Sequence, residues 1–117
     1  MSEPTEEQIK ELWEWCGFKF FKPYENGAID VLDPTGSLYL SPTPLAIPLV
    51  DLNNLFKWAV PNLQEQGLIT SLVAVEHSGF DCHIIRLFAD EPFITIRDKD
   101  PALALFWAIY KVIKEQK

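Results

Sequence analysis

The sequence predicts an α+β fold in which three helices and a mostly antiparallel sheet pack as an α/β sandwich, in the order αβββαβββα. Two observations support this class. Three segments carry apolar residues at the spacing of an amphipathic helix, and short apolar segments alternate with turn signals such as Asn-Gly, Asp-Pro and Gly. With 117 residues, 48% of them hydrophobic, the chain suits a single domain spanning residues 1–117.

The first predicted helix covers about three turns before Gly17, which acts as its C-cap. Thr5 and Gln8 are spaced for a capping box, in which each side chain bonds the other residue's backbone N–H. Apolar residues then recur at helical spacing at Ile9, Leu12, Trp13 and Cys16.

The next part of the chain predicts an antiparallel meander with strands at residues 18–24, 28–33 and 37–40. Residues 33–36 form the turn before the third strand, because Pro34 presets the backbone there. The proline-rich segment 41–50 suits neither a helix nor a central strand, and we expect it to be a loop held against the core.

Residues 52–66 predict a second helix, with Asp51 as its N-cap and Gly67 as its C-cap. Its apolar residues gather on one face, namely Leu52, Leu55, Phe56, Ala59, Val60 and Leu63. Pro61 removes one helical hydrogen bond and is expected to kink the helix. Trp58 falls on the opposite, outer face.

Three further strands are predicted at residues 68–77, 82–89 and 93–97. The link between the first two is residues 78–81, which is short enough for a hairpin. Because residues 72–75 are continuously apolar, this hairpin is expected to be central in the sheet and covered on both faces.

The last predicted helix covers residues 102–114 and begins after Asp100 and Pro101. It is apolar over roughly 200° of its circumference, so it must contact more than one element, either a sheet and a helix or a sheet and a second chain. The solvated stripe is expected at Ala104, Ala108, Lys111 and Glu115.

Composition and charge argue against several classes of protein. The formal net charge is −7, whereas binding to nucleic acid or to anionic membranes requires clustered Lys and Arg. No apolar run approaches the roughly 20 residues of a membrane span, and the acidic N-terminus lacks the order of a signal peptide. With only two cysteines, Cys16 and Cys82, the sequence predicts a cytoplasmic protein with reduced thiols.

The best candidates for chemistry are His77, Asp81, Cys82 and His83, which cluster at one predicted hairpin. Across a turn at residues 78–81, His77 and Cys82 would face each other and could hold a metal ion or form a Cys–His nucleophile. Cys82 and His83 are adjacent in a strand, so they point to opposite faces, and the spacing matches no zinc pattern. We therefore predict no metal site, and a small metal- or thiol-dependent enzyme at this hairpin remains the alternative.

The carboxylates that stand close together in sequence are spaced for turns and helix caps rather than for acid–base catalysis. These are Asp30 with Asp33, and Asp98 with Asp100. Catalytic pairs must converge on a pocket, and the sequence gives no sign of convergence. No catalytic residue and no cofactor is predicted.

The four tryptophans divide into two pairs. Trp13 lies on the apolar face of the first helix and Trp107 flanks that of the last, so both are expected in the core. Trp15 lies at the margin of the first helix and Trp58 on the outer face of the second. Because aromatic side chains are enriched in interfaces, Trp15 and Trp58 are the candidate partner-binding residues, with a covering loop as the alternative for Trp58.

Several segments are similar to one known family. Residues 55–61 (LFKWAVP) and 100–109 (DPALALFWAI) look like the two signature helices of the phage ABA sandwich domain, and residues 16–18 and 33–36 look like its N-terminal pattern. The family comprises small proteins of phages, prophages and bacterial genomes. The resemblance implies an α/β sandwich with no assigned activity and no catalytic residues to carry over. The proline-rich segment 41–50 departs from the family pattern.

These observations predict a non-enzymatic domain of phage or prophage type that acts through protein–protein contact. The expected partner is another protein or a second copy in a homodimer. A third hypothesis, mimicry of nucleic acid by an acidic surface, rests on the net charge alone.

Overall fold

The computed structural model describes residues 3–22, 24–26, 29–39, 47–86 and 92–116, and of Pro92 only the backbone. Within these ranges it contains three helices and two antiparallel sheets, of two and three strands, which confirms an α+β fold with sandwich-like packing. The chain divides into two compact units, one formed by Pro4–Leu49 and the other mainly by Val50–Lys117.

Helix α1 (Glu6–Cys16) opens the N-terminal unit, and the predicted capping box is present. Thr5 Oγ1 accepts a hydrogen bond from the Gln8 N–H at 3.2 Å, and Gln8 Oε1 accepts one from the Thr5 N–H at 2.9 Å. Gly17 ends the helix in the left-handed region, at φ 110°, where a Cβ would lie 3.2 Å from the Cβ of Pro34. Both the conformation and this close approach favour glycine.

Strands β1 (Lys19–Phe20) and β2 (Val31–Leu32) pair antiparallel and are shorter than predicted. Of the third strand predicted at residues 37–40, the described residues form a single bridge between Leu32 and Leu38; Leu40 lies outside the described residues. The predicted meander is therefore present only as a short ribbon.

Asp33 shapes the turn that follows β2, beyond which backbone bonds join Asp33 to Ser37 and Tyr39 to Val31. Its Oδ1 accepts hydrogen bonds from the backbone N–H of Thr35 at 2.9 Å and of Ser37 at 3.2 Å. Such local bonds offer the backbone an alternative to a strand ladder. The turn predicted at residues 33–36 is confirmed by a bond from the Gly36 N–H to the Asp33 carbonyl.

The core of the N-terminal unit is formed by Leu12, Trp13, Phe18 and Val31. The rings of Trp13 and Phe18 meet edge to face, with 5.6 Å between their centroids. The indole N–H of Trp13 donates to the Pro48 carbonyl at 3.0 Å, which holds the end of the 41–50 loop against α1. Residues 41–46 of that loop lie outside the described residues.

Helix α2 opens the C-terminal unit at residues 52–65 and has three segments. Leu52–Asn54 is α-helical, Leu55–Ala59 is π-helical and Val60–Glu65 is α-helical again. Asp51 caps its start by accepting a hydrogen bond from the Asn54 N–H at 2.7 Å.

The π-helical segment lies directly before Pro61, where the sequence predicts a kink. In a regular α-helix the proline ring would clash with the carbonyl four residues earlier. Here the Val60 N–H donates to the carbonyl of Leu55, five residues back, so the turn holds one more residue. Val60 is buried, whereas Phe56, which was predicted on the buried face, is 46% exposed. The π turn changes the angular spacing of these residues, and the prediction for Phe56 was wrong.

Strands β3 (Leu68–Val75), β4 (Gly79–Arg86) and β5 (Pro92–Asp98) form an antiparallel sheet in the order β3-β4-β5. The three predicted strands are confirmed, but the expectation of a central, doubly covered hairpin is wrong for β3. Because β5 pairs with β4, β3 is an edge strand among the strands that the structure describes, and Val73 is 44% exposed.

One face of this sheet is covered by helices. Helix α2 contacts β3, and helix α3 (Pro101–Glu115) contacts β4, β5 and α2. Residues directly opposite one another in an antiparallel sheet share a face, and the buried strand residues all lie on the covered face: Leu68, Cys82, Ile84 and Ile94. The opposite face, which we call the open face, carries Ile69, Ser71, Val73, Asp81, His83, Thr95 and Arg97.

Helix α3 begins as predicted. Asp100 Oδ1 accepts hydrogen bonds from the Ala102 and Leu103 N–H groups, at 2.8 and 3.4 Å. Its broad apolar surface contacts both a sheet and a helix, as expected. The predicted solvated stripe was wrong at Ala104 and Ala108, which are fully buried. With neighbours on more than one side, α3 buries a wider part of its circumference than its sequence pattern indicates.

Candidate functional site

The hairpin predicted to carry chemistry has its turn at residues 76–78, not at 78–81. His77 lies in this turn at φ 60°, and its Nε2 is 3.1 Å from Glu76 Oε1. Both side chains are almost fully solvated. The ladder pairs Val75 with Gly79, so His77 does not face Cys82 across the strands.

Cys82 and His83 point to opposite faces of β4, as their adjacency predicts. Cys82 is fully buried on the helix-covered face, and burial raises the pKa of its thiol to about 12. His83 lies on the open face, with Nδ1 3.0 Å from Thr95 Oγ1. His77, Cys82 and His83 are therefore not brought together. Among the residues that the structure describes, no group of three His, Cys, Asp or Glu residues is placed to hold a metal ion.

A polar group lies on the open face; the sequence names Asp81 and His83 as candidates but does not predict their neighbours there. Arg97 of β5 forms a two-pronged ion pair with Asp81 of β4, with Nε 2.6 Å from Oδ1 and Nη2 3.0 Å from Oδ2. Hydrogen bonding to this guanidinium lowers the pKa of Asp81 and raises that of Arg97. In the next row of the register, His83 lies between Ser71 and Thr95.

This polar group is suited to pairing the strands rather than to catalysis. A nucleophilic serine needs a base within hydrogen-bond reach, but the ring nitrogen of His83 that makes a hydrogen bond does so with Thr95. The Asp81 carboxylate is engaged by Arg97 on both oxygens. The β4–β5 register brings Asp81 to Arg97 and His83 to Thr95. The predicted turn at residues 78–81 leaves Asp81 out of β4, so the sequence analysis does not find this pair.

The prediction that these carboxylates act in turns and caps is confirmed for Asp33, Asp98 and Asp100, whereas Asp30 contacts a tyrosine instead. Asp33 organises the turn after β2, and Asp98 Oδ1 accepts a hydrogen bond from the Asp100 N–H at 2.9 Å. Asp30 accepts a hydrogen bond from the Tyr24 hydroxyl, and this bond raises the pKa of Tyr24. None of these contacts gathers two carboxylates at one cavity.

A shallow cavity of about 300 Å³ lies where β4 ends beside the C-terminal turn of α3. Gln66 and Gln116 hydrogen-bond to each other there, and the Arg86 guanidinium carbon lies 4.1 Å from the centroid of the Phe93 ring. A guanidinium on an aromatic face is a common packing arrangement. Among its described lining residues, no nucleophile stands beside a base.

The tryptophans do not divide into the two predicted pairs, because Trp13 alone is buried and the other three are all half-buried. Trp13 is fully buried, and Trp107 is half-buried on α3, where its ring meets Phe106 edge to face at 5.1 Å between centroids. Trp15 is half-buried on α1, in the N-terminal unit. Trp58 is half-buried on α2, in the C-terminal unit, and the Nζ of Lys57 lies 4.8 Å from its ring centroid.

The outer face of α2 carries two aromatic side chains, one at each margin. We define this face by Phe56, Lys57, Trp58 and Pro61. Lys57 and Pro61 are exposed, Phe56 is 46% exposed and Trp58 is half-buried. The π-helical segment is what turns Phe56 toward this face, so the sequence periodicity could not reveal it.

The comparisons with known proteins add no relative: no family model, no curated protein and no solved structure matches the chain. Among the described residues, no helix is both long enough and apolar enough to cross a bilayer.

Proposed function

We propose that the chain is a non-enzymatic, cytoplasmic domain of the phage ABA sandwich type that acts by binding another protein. The observation that carries this proposal is the outer face of α2, where Phe56, in a π-helical segment, is exposed on one side of Lys57 and Trp58 is half-buried on the other. The proposed family rests on the resemblance of residues 55–61 and 100–109 to its two signature helices. Membership would place the chain among small proteins of phages and bacteria.

Aromatic side chains on an exposed helix face favour protein contact for physical reasons. Each ring covers a large area while losing few rotatable bonds on binding, and aromatic residues are enriched in the cores of interfaces. A π-helical segment is less favourable than a continued α-helix and frequently marks a functional site. Lys57, between the two rings, adds a positive charge to a chain whose net charge is −7. An apolar surface with an acidic rim is therefore the complementary partner.

Trp15 is the second proposed contact residue. It is half-buried at the margin of α1, where the neighbouring Glu14 is exposed. Since α1 belongs to the N-terminal unit, Trp15 is proposed as a contact of that unit in its own right.

Photo-crosslinking from α2 tests the proposal. A benzoylphenylalanine in place of Phe56 is expected to form a covalent adduct with one protein in the native cells, which mass spectrometry identifies. The matched control carries the same group at Gln64, an exposed position of the same helix. Adducts that are equal at the two positions, or absent from both, contradict the proposal.

Binding measurements with the identified protein complete the test. The Phe56→Ser variant is expected to bind it about tenfold more weakly than the wild type, because a central aromatic contact is lost. The Gln64→Ser control is expected to bind within about twofold of the wild type. Equal affinity of the Phe56→Ser variant and the wild type contradicts a role for the α2 face.

A further inference from the structure

Strand β3 is an edge of the three-stranded sheet, and in the part of the chain that the structure describes its outer side pairs with no strand. Its eight residues, LITSLVAV, include no charged residue and no proline. Ile69 and Val73 on its open face are 46% and 44% exposed. A long, uncharged, apolar edge strand is a template for pairing with another strand.

The other edge of the same sheet differs. Strand β5 begins with Pro92, ends with Arg97 and Asp98, and its pairing with β4 shifts register between Ile84 and Ile85. Proline, charge and irregular pairing are the features by which proteins protect sheet edges from other strands. Only β3, among the described strands of this sheet, lacks all three.

We propose that β3 pairs antiparallel with β3 of a second copy of this chain, about a two-fold axis at Ser71. The two three-stranded sheets then continue as one sheet across the dimer. This inference rests on the proposed function, since it names a second copy as one protein partner. It assigns that contact to the strand edge and leaves the α2 face for another protein.

The register follows from the side-chain pattern. Residues directly opposite one another share a face, so open-face positions of one copy must oppose open-face positions of the other. With Ser71 on the axis, Ile69 lies opposite Val73 of the second copy, and Val73 lies opposite Ile69. The order of apolar residue, serine and apolar residue reads the same in both directions, so the strand complements itself. No like charges oppose each other, because none of the eight residues of β3 is charged.

A pair of charge variants tests this register. In I69K/V73K each lysine faces a lysine of the second copy, whereas in I69K/V73E each lysine faces a glutamate. Within one chain the two positions are about 13 Å apart along the strand. Position 73 lies directly opposite Asp81 of β4, so V73K adds an attraction and V73E a repulsion within the chain, which is the reverse of the order expected for dimerisation. A weaker dimer for I69K/V73K than for I69K/V73E therefore reports contact between copies. Sedimentation equilibrium at low salt is expected to show a wild-type dimer, dimerisation about tenfold weaker for I69K/V73K, and recovery to within about threefold for I69K/V73E.

Other results overturn the proposal. They are a wild-type chain that stays monomeric at high micromolar concentration, an I69K/V73K variant that dimerises like the wild type, and an I69K/V73E variant as weak as I69K/V73K. Circular dichroism checks the folding of each variant. If I69K/V73K does not fold, the Ser71→Arg variant takes its place, because it sets two arginines against each other at the axis. If Ser71→Arg dimerises as tightly as the wild type, the proposal is overturned.

The Phe56→Ser variant separates the two proposals. If β3 forms the dimer, Phe56→Ser dimerises like the wild type whether or not it has lost its other partner. If Phe56→Ser is monomeric while I69K/V73K still dimerises, the α2 face forms the dimer and the β3 proposal is overturned.

Discussion

Arg97 holds Asp81 across β4 and β5 with two hydrogen bonds, of 2.6 and 3.0 Å, on the open face of the sheet. The pair aligns the strands, because a planar guanidinium meets both carboxylate oxygens in only one relative position. It thereby also supports the register that places Cys82 on the helix-covered face and His83 on the open face.

Replacing Asp81 by asparagine is expected to make the free energy of unfolding fall less steeply as the pH is lowered into the acid range. Hydrogen bonding to Arg97 lowers the pKa of Asp81 in the folded state. A lowered folded pKa contributes stability above the ordinary aspartate range of about 4, and this contribution is lost as the pH falls through the folded pKa. Urea midpoints at neutral pH and at about pH 3 measure the change, with the exposed Glu65→Gln as control. If the urea midpoints of the wild type and of Asp81→Asn change equally between the two pH values, the Asp81–Arg97 pair does not cause the pH dependence.

Trp13→Phe is expected to destabilise the N-terminal unit by roughly 1–3 kcal/mol, because it leaves the carbonyl of Pro48 without its buried donor. Trp107→Phe is the control, since Trp107 is only half-buried, and a smaller loss is expected there. Denaturant titration followed by circular dichroism measures both. Equal losses would show that the Trp13 hydrogen bond contributes little.

Both thiols are expected to react slowly. Burial raises the pKa of Cys16 and of Cys82 to about 12, so very little thiolate is present near pH 8. A disulfide reagent should label the folded chain far more slowly than the urea-unfolded chain. If Cys82 labels as fast in the folded chain, the thiol-dependent enzyme returns as the better hypothesis.

The same two cysteines predict a loss of stability in alkali. The unfolded thiols ionise near pH 8.5–9, whereas the folded thiols keep their protons up to about pH 12. The unfolded state therefore binds fewer protons between these values, and the free energy of unfolding falls as the pH rises above about 9. A Cys16→Ala, Cys82→Ala variant should show a shallower decline. An unchanged slope contradicts the assignment to these thiols.

Asp100→Ala is expected to cost about 1 kcal/mol, because the first backbone N–H groups of α3 lose the carboxylate oxygen that accepts from them. Lys99→Ala, one residue earlier and exposed, is the matched control and should cost less than about 0.5 kcal/mol. Thermal unfolding of the two variants measures their losses of stability. A loss as large for Lys99→Ala rejects the cap as the cause.

The elements that the sequence predicts well are those whose signals are local. The capping box of Thr5 and Gln8, the left-handed Gly17 and the cap at Asp100 each depend on residues within a few positions. The three strands of the C-terminal unit also follow from their apolar runs and the turn residues between them.

The errors arise where distant contacts decide the outcome. Continuous apolar residues in β3 predict a covered central strand, but strand order is set by which strand β5 joins. Ala104 and Ala108 look solvated by periodicity and are buried because α3 has neighbours on more than one side. Phe56 is an exception, because its error has a local cause: the π turn of residues 55–59 changes its angular position on the helix.

The candidate sites likewise include features that local sequence predicts and features that contacts between distant residues determine. That Cys82 and His83 cannot converge follows from strand alternation, which is local and predictable. The pairing of Asp81 with Arg97 is set by the register of β4 against β5, and the predicted turn at residues 78–81 places Asp81 outside the strand that makes this pair. A shift of the assumed turn by two residues is enough to hide that pair from the sequence.

The most direct test of a protein-contact function is a disulfide between copies at the β3 axis. In the proposed dimer the two Ser71 residues are directly opposite, at a Cα separation of about 4.5–5.5 Å, which a disulfide bridges. Oxidation of Ser71→Cys is therefore predicted to give a covalent dimer that a reducing agent reverses, while Ser78→Cys at the exposed hairpin turn stays largely monomeric. A Ser71→Cys chain that crosslinks no faster than Ser78→Cys would contradict pairing of two copies along β3.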